Sequence, residues 1–120
     1  MTKNEFESYI QTTCGVTAEH PFARYPDVSI FRHDSNKKWF AAIMQVNAKK
    51  LALARNETVW IVNLKIPEEI RDSFLHQKGI FPAYHMNKKH WVSVLLDGSV
   101  DHDILTFLLD VSYDLTQKGG

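Results

Sequence analysis

Residues 81–98 read Phe-Pro-Ala-Tyr-His-Met-Asn-Lys-Lys-His-Trp-Val-Ser-Val-Leu-Leu-Asp-Gly, and this stretch decides how the second half of the chain is built. A polar-aromatic cluster at Tyr84, His85, Asn87, Lys88, Lys89, His90 and Trp91 runs straight into an apolar strand from Val92 to Leu96. Turns are ordinarily made with Gly, Ser, Asp and Pro. Two His, two Lys, a Tyr and a Trp within residues 84–91 exceed what turning needs. Such a group suits an anion or a flat ring, and names no reaction.

Helices bracket this strand. Pro67 suits the first turn of a helix, with Glu68 and Glu69 opposing its dipole. Ile70, Phe74 and Leu75 form its buried stripe, and Gly79 stops it. After the strand, Asp97-Gly98 turns the chain into a final helix over about 101–117. Its face is Ile104, Leu108, Val111 and Leu115, at i, i+4, i+7 and i+11.

The first half adds one helix and three strands. Thr2-Lys-Asn-Glu5 is a capping box, and Phe6, Tyr9 and Ile10 give residues 3–13 an apolar helical stripe ending at Gly15. Residues 16–27, with two prolines and no periodicity, form a loop. Val28 to Arg32 and Trp39 to Val46 are β-rich runs divided by Asp34-Ser-Asn-Lys37, which reads as a hairpin. Thr58 to Leu64 is a third strand. Between the second and third, residues 47–57 fit either a short helical turn or an excursion at the sheet edge. The chain reads as a single domain over 1–120 with a short Gly119-Gly120 end. The expected fold is α+β, an antiparallel sheet with helices on one face. The other face is expected to be partly open, and so a binding surface.

Composition excludes several function classes. At 120 residues, 44% hydrophobic and 23% charged, the chain has the make-up of an ordinary globular domain. No apolar run approaches the roughly 20 residues of a membrane helix, and Met1 to Glu7 lack a secretory core, so a cytoplasmic location is expected. Cys14 stands alone, leaving no internal disulfide or multi-cysteine zinc site, and at the end of an apolar helix it reads as a buried structural residue.

The net charge is zero, yet unevenly spread. Residues 73–96 hold no carboxylate but Lys78, Lys88 and Lys89, whereas residues 97–114 hold five aspartates and no Lys or Arg. This is either a solvated acidic helix beside a basic loop or a local positive patch.

No histidine falls in a metal-binding spacing. His85 and His90 with Asp97 or Asp101 make at best a weak divalent site, and Asp101-His102-Asp103 reads as helix capping. No glycine-rich phosphate loop is present, and Ser93, Ser99 and Ser112 lack a nucleophile elbow. Tyr113 is expected to pack on the sheet. No feature of the sequence signals an enzyme or a cofactor. Asn87 to Trp91 keeps two readings: lysines on phosphate with aromatic stacking, or a structural turn in which Asn87 bonds the backbone and Trp91 opens the strand core. Lys37 and Lys38, at the first hairpin tip, add a second positive point if both tips lie on one side.

Pro82-Ala-Tyr-His-Met-Asn-Lys-Lys-His-Trp-Val-Ser, then Leu96-Asp-Gly and Ser112-Tyr113-Asp-Leu115, resemble the MmcQ/YjbR family of small bacterial proteins. Trp39-Phe-Ala-Ala and Asn63-Leu-Lys65 support the resemblance, which spans nearly the whole chain; residues 47–57 are longer than in short members. It implies the order α-β3-α-β2-α, a CyaY-like or secretion-chaperone-like architecture, and a DNA-binding label with a double-wing arrangement. It implies no catalytic residues. The expectation is a non-catalytic DNA-binding protein using Lys37, Lys38, Tyr84, His85, Asn87, Lys88, Lys89, His90 and Trp91 and an open sheet edge. The alternative is a protein-interaction or dimerisation module. A metal-binding role ranks below both, because its acidic ridge on the first helix is reduced to Glu5 and Glu7.

Overall fold

The computed structural model describes residues 1–117; Gly119-Gly120 lies outside them. The first helix, α1 (Lys3–Cys14), opens with the expected reciprocal cap, Glu5 N–H donating to Thr2 Oγ1 and Thr2 N–H to Glu5 Oε1, and ends at Gly15. Strands β1 (Ser29–Arg32) and β2 (Trp39–Asn47) form the hairpin, and a single 3-10 turn (Ala48–Leu51) leads to β3 (Thr58–Lys65). Then come α2 (Glu68–Leu75), β4 (Ile80–Pro82), β5 (Trp91–Leu95) and α3 (His102–Gln117). The order is α-β3-α-β2-α, with the residues 47–57 ambiguity settled as a helical turn. Pro67 sits one place earlier than expected, as the N-cap of α2.

The sheet is antiparallel throughout, in the order β1-β2-β3-β5-β4. Residues directly opposite one another share a face, so the registers sort the side chains into two layers. One layer holds Phe31, Ala41, Leu64 and Val92, with Ile43, Val62, Val94 and Ile80 in the next row. All the helices pack there. Phe6 and Ile10 of α1 and Leu105, Leu108 and Leu109 of α3 are buried, and Phe74 of α2 stacks on Phe107 of α3 at 5.9 Å. Full burial of each of the five α1 and α3 side chains is worth roughly 1.5–3 kcal/mol.

Three expectations change here. The buried face of α3 is Leu105, Leu108, Leu109, Ser112 and Thr116; Ile104 and Val111 are only half-buried and Leu115 is exposed. The helix is rotated because Ser112 is anchored in the sheet: its hydroxyl donates to Phe40 O (2.6 Å) and accepts from Lys65 N–H (2.9 Å). Secondly, α2 buries none of its residues fully, because it leans on the short edge strand β4 and on α3. Thirdly, the opposite face is open only at a groove beside Trp39 and Met44 and is otherwise covered. Its row Ile30, Ala42, Asn63 and Ser93, with Ile61 beside it, is at most 1% exposed. Leu51 of the 3-10 turn, also buried, lines a cleft with Phe81, Ala83 and Tyr84, so the excursion and the 83–90 segment roof this side. The outer edge of β1 is also engaged, by the Glu19–Ile30 bridge.

Cys14 is half-buried rather than buried, and burial, then Asp110, pushes its thiol up, away from a reactive thiolate. No helix of the described residues is long and apolar enough to cross a membrane.

Candidate functional site

The 83–90 segment is built as a turn and clamped to the sheet. Asn87 Oδ1 accepts from Lys89 N–H (2.9 Å), and its carbonyl accepts from His90 and Trp91 N–H at 3.2 and 3.0 Å. This is the structural reading of Asn87, and it holds. Arg71 Nη1 donates to Lys88 O (2.7 Å), and Ile66 N–H to His90 O (2.8 Å), tying the turn to α2 and the end of β3.

Beneath the turn lies a buried polar pair. Ser93 Oγ accepts from Tyr84 N–H (2.9 Å) and donates to Asn63 Oδ1, while Asn63 Nδ2 donates to Tyr84 O (2.9 Å). Both side chains are fully buried and every bond they make points at Tyr84 or at each other, so they fix its backbone. The ring of His85 then lies 3.8 Å from that of Tyr84.

The hairpin tip is pinned as firmly. Asn36 Nδ2 donates to Thr116 O (2.9 Å), meeting the C-terminal carbonyls of α3, and Asn36 Oδ1 accepts from Lys38 N–H. His33, 4% exposed, bonds through Nε2 to Thr116 Oγ1 (2.8 Å) and packs 4.5 Å from Tyr113 and 5.0 Å from Phe40, as ring centroids. Burial lowers its pKa.

The register brings the two turns together. The β1–β2 tip, the end of β3 and the start of β5 share one end of the sheet, since Arg32 pairs Trp39 and Lys65 pairs Trp91. The starts of β2 and β5 flank β3, so roughly 10 Å separates their backbones. Lys37, Lys88 and Lys89 are exposed at this end, while Lys38 is half-buried and engaged within the fold. Lys37 and His85, one from each turn, both hold positive φ, 62° and 61°. Ala52, which closes the 3-10 turn, holds the same state at φ 61°, so at all three positions it marks tight turning at a local cost.

Beside the 83–90 turn, on the second face along β1 and β2, a groove of about 460 Å³ is lined by Phe22, Tyr25, Val28, Ile30, Trp39, Met44, Gln45, Tyr84, His85 and Met86. The sequence reading missed Phe22, Tyr25 and Trp39 as site residues, because they come from a loop and a strand distant from the signature segment. Trp91 is half-buried beside Lys65 rather than a full core residue. The proposed His85/His90 partnership with Asp97 or Asp101 fails. Those histidines sit before β5 and the aspartates beyond its far end, roughly 20 Å along the strand direction. Asp101 instead caps α3 through the N–H groups of Asp103 and Ile104, as the sequence suggested. At Asp97 burial opposes the charge, but the Ser99 hydroxyl and N–H, with Arg55, outweigh it and lower the pKa. Among the described residues, no three His, Cys, Asp or Glu side chains come together to hold a metal.

This geometry defines a single-domain α+β protein whose second sheet face is roofed by a basic-aromatic turn. The model of the family described as YjbR matches residues 12–115, and the chain belongs to that family. It is similar to the uncharacterised protein YyaQ of Bacillus subtilis, 34% identical over 117 residues, covering 98% of this chain and 99% of that one. It is also similar to the uncharacterised protein YjbR of Escherichia coli K12, 32% identical over 77 residues, covering 62% and 65% respectively. Among solved structures, a Pseudomonas syringae protein superposes with a TM-score of 0.94 at 36% identity, covering 97% of this chain and 99% of that one. A Deinococcus radiodurans protein with a DUF419 domain does so at 0.73 and 28% identity, covering 99% and 81%.

Proposed function

We propose that this protein binds DNA without catalysis, holding phosphates with Lys37, Lys88 and Lys89 while the Tyr84–Trp91 turn supplies donors and rings. The observation that carries this reading is the sheet register, which sets the hairpin tip and the 87–90 turn at the same end of the molecule. Exposed lysines on two rigid turns are positioned to meet a phosphate backbone, and a local positive patch acts even where the total charge is zero. None of the groove-lining residues is a carboxylate.

Fluorescence anisotropy with labelled oligonucleotides at low salt tests it. With three phosphate contacts, log Kd changes with log salt at a slope of about 2 to 3. A Lys88→Ala/Lys89→Ala double variant weakens binding roughly 10-fold. Absence of binding at high micromolar protein, or an unchanged Kd in the double variant, overturns the proposal.

A second reading, a protein-interaction or dimerisation module, rests on a different observation. Along the outer side of α3, Phe107 is 49% exposed and Leu115 39%, with Ile104 and Val111 half-buried between the sheet and solvent. This stripe is apolar where a monomer's helix is normally polar. Size-exclusion chromatography with light scattering distinguishes the two: a salt-insensitive dimer abolished by Phe107→Glu favours the interaction reading.

A further inference from the structure

We infer that the groove beside the signature turn is a stacking slot for an unpaired base, so that the nucleic acid held here is single-stranded. This rests on the DNA-binding reading above and narrows it. The groove walls are rings and thioethers: Phe22, Trp39, Met44, Tyr84, His85 and Met86, with Tyr25 at the rim. Phe22 stands edge-on to Trp39, with centroids 6.0 Å apart at 73°. Tyr25 and Phe22 are 64% and 38% exposed, so these rings do not serve the core. The volume falls within the roughly 300–1,000 Å³ of small-ligand sites.

The occupant follows from charge and shape together. Trp39 on one wall stands two residues from exposed Lys37, and Met86 on the other precedes Asn87-Lys88-Lys89, so each aromatic wall has an exposed lysine close by in sequence. A flat apolar ring carried on an anionic chain fits this pairing. A duplex keeps its bases stacked and paired, presenting no ring face to a groove, whereas an unpaired base can splay out and stack on aromatic side chains. Stacking on rings beside a basic track is the general solution for single strands.

The test is fluorescence anisotropy on a single-stranded oligonucleotide of about 15 bases and on its duplex. Wild type is compared with Phe22→Ala/Tyr25→Ala and with Lys88→Ala/Lys89→Ala. Both replaced aromatics are exposed loop residues, and matching thermal unfolding curves verify that the fold survives. The single strand is expected to bind at least 10-fold tighter than the duplex and to quench tryptophan fluorescence through Trp39. The aromatic variant loses roughly 10-fold on the single strand and little on the duplex. Equal affinity for both forms with an unaffected aromatic variant overturns the slot while leaving the lysine-based reading in place. Loss of all binding to either form overturns both. Competition by thymidine monophosphate as strong as by the strand makes this a mononucleotide site and overturns the proposal.

Discussion

At Gly79 the chain has two separate reasons to lack a side chain. Its φ is +85°, and a Cβ placed there meets Val100 Cγ2 at 2.5 Å. Gly98 shares the first reason, with φ +86°, but a Cβ there meets nothing within 4 Å. The pair separates conformational strain from steric overlap. Gly98→Ala is expected to lower stability by about 1 kcal/mol, and Gly79→Ala by about 2–4 kcal/mol, because overpacking adds to the same strain. Urea denaturation of both variants measures the difference, and equal losses contradict it. Residue-scale chemistry was the most legible in the sequence where partners are close along the chain: Thr2 with Glu5, Asn87 with Lys89, Asp101 with Asp103. The clash at Gly79 was invisible, because Val100 reaches it only through the folded β5–α3 connection.

Elements are held together by buried hydroxyls as well as by apolar faces. Ser112 joins α3 to β2 and β3 at once, and Thr116 Oγ1 donates to Ser112 O (2.7 Å) while meeting His33 of the hairpin. Ser112→Ala leaves the Lys65 N–H and the Phe40 carbonyl without their partner. It is expected to lower unfolding free energy by about 1–3 kcal/mol in urea denaturation; a loss under about 0.5 kcal/mol contradicts this role. The same anchoring explains why hydrophobic periodicity misplaced the inner face of α3. An apolar count favours Ile104, Val111 and Leu115, whereas the helix is rotated to seat two hydroxyls whose partners lie in the strands and the hairpin turn more than 45 residues earlier. Periodicity reads a helix in isolation, and this orientation is set across the core. The cover over the second sheet face was hidden for a similar reason: Leu51 and Tyr84 come from segments without any period.

Over the whole molecule, both turns of the candidate site are pinned to elements that also carry stability, and at the hairpin turn the pin is a titratable ring, His33 on Thr116 of α3. Burial lowers the pKa of His33 from its ordinary 6.5, so the folded state favours the neutral ring. The unfolded chain takes up a proton as pH falls through about 6.5, and the folded protein resists it. The neutral ring's contribution is therefore complete above that pH and is lost as pH falls below it. Thermal unfolding between about pH 7.5 and 5.5 is expected to show a steeper fall in Tm for wild type than for His33→Gln; parallel profiles contradict this.

The candidate site itself was half legible. The basic turn stood out in sequence, and the facing wall of Phe22, Tyr25 and Trp39 did not, because only the register of β1 on β2 and the clamp of Asn63 and Ser93 on Tyr84 bring the walls together. That juxtaposition is what backbone amide chemical-shift mapping tests most directly, during titration with a single-stranded oligonucleotide. The largest shifts are predicted at Phe22, Tyr25, Lys37 to Trp39 and Tyr84 to His90, with α1 and the outer side of α3 silent. Shifts concentrated on α3 around Phe107, or none at all, contradict the account.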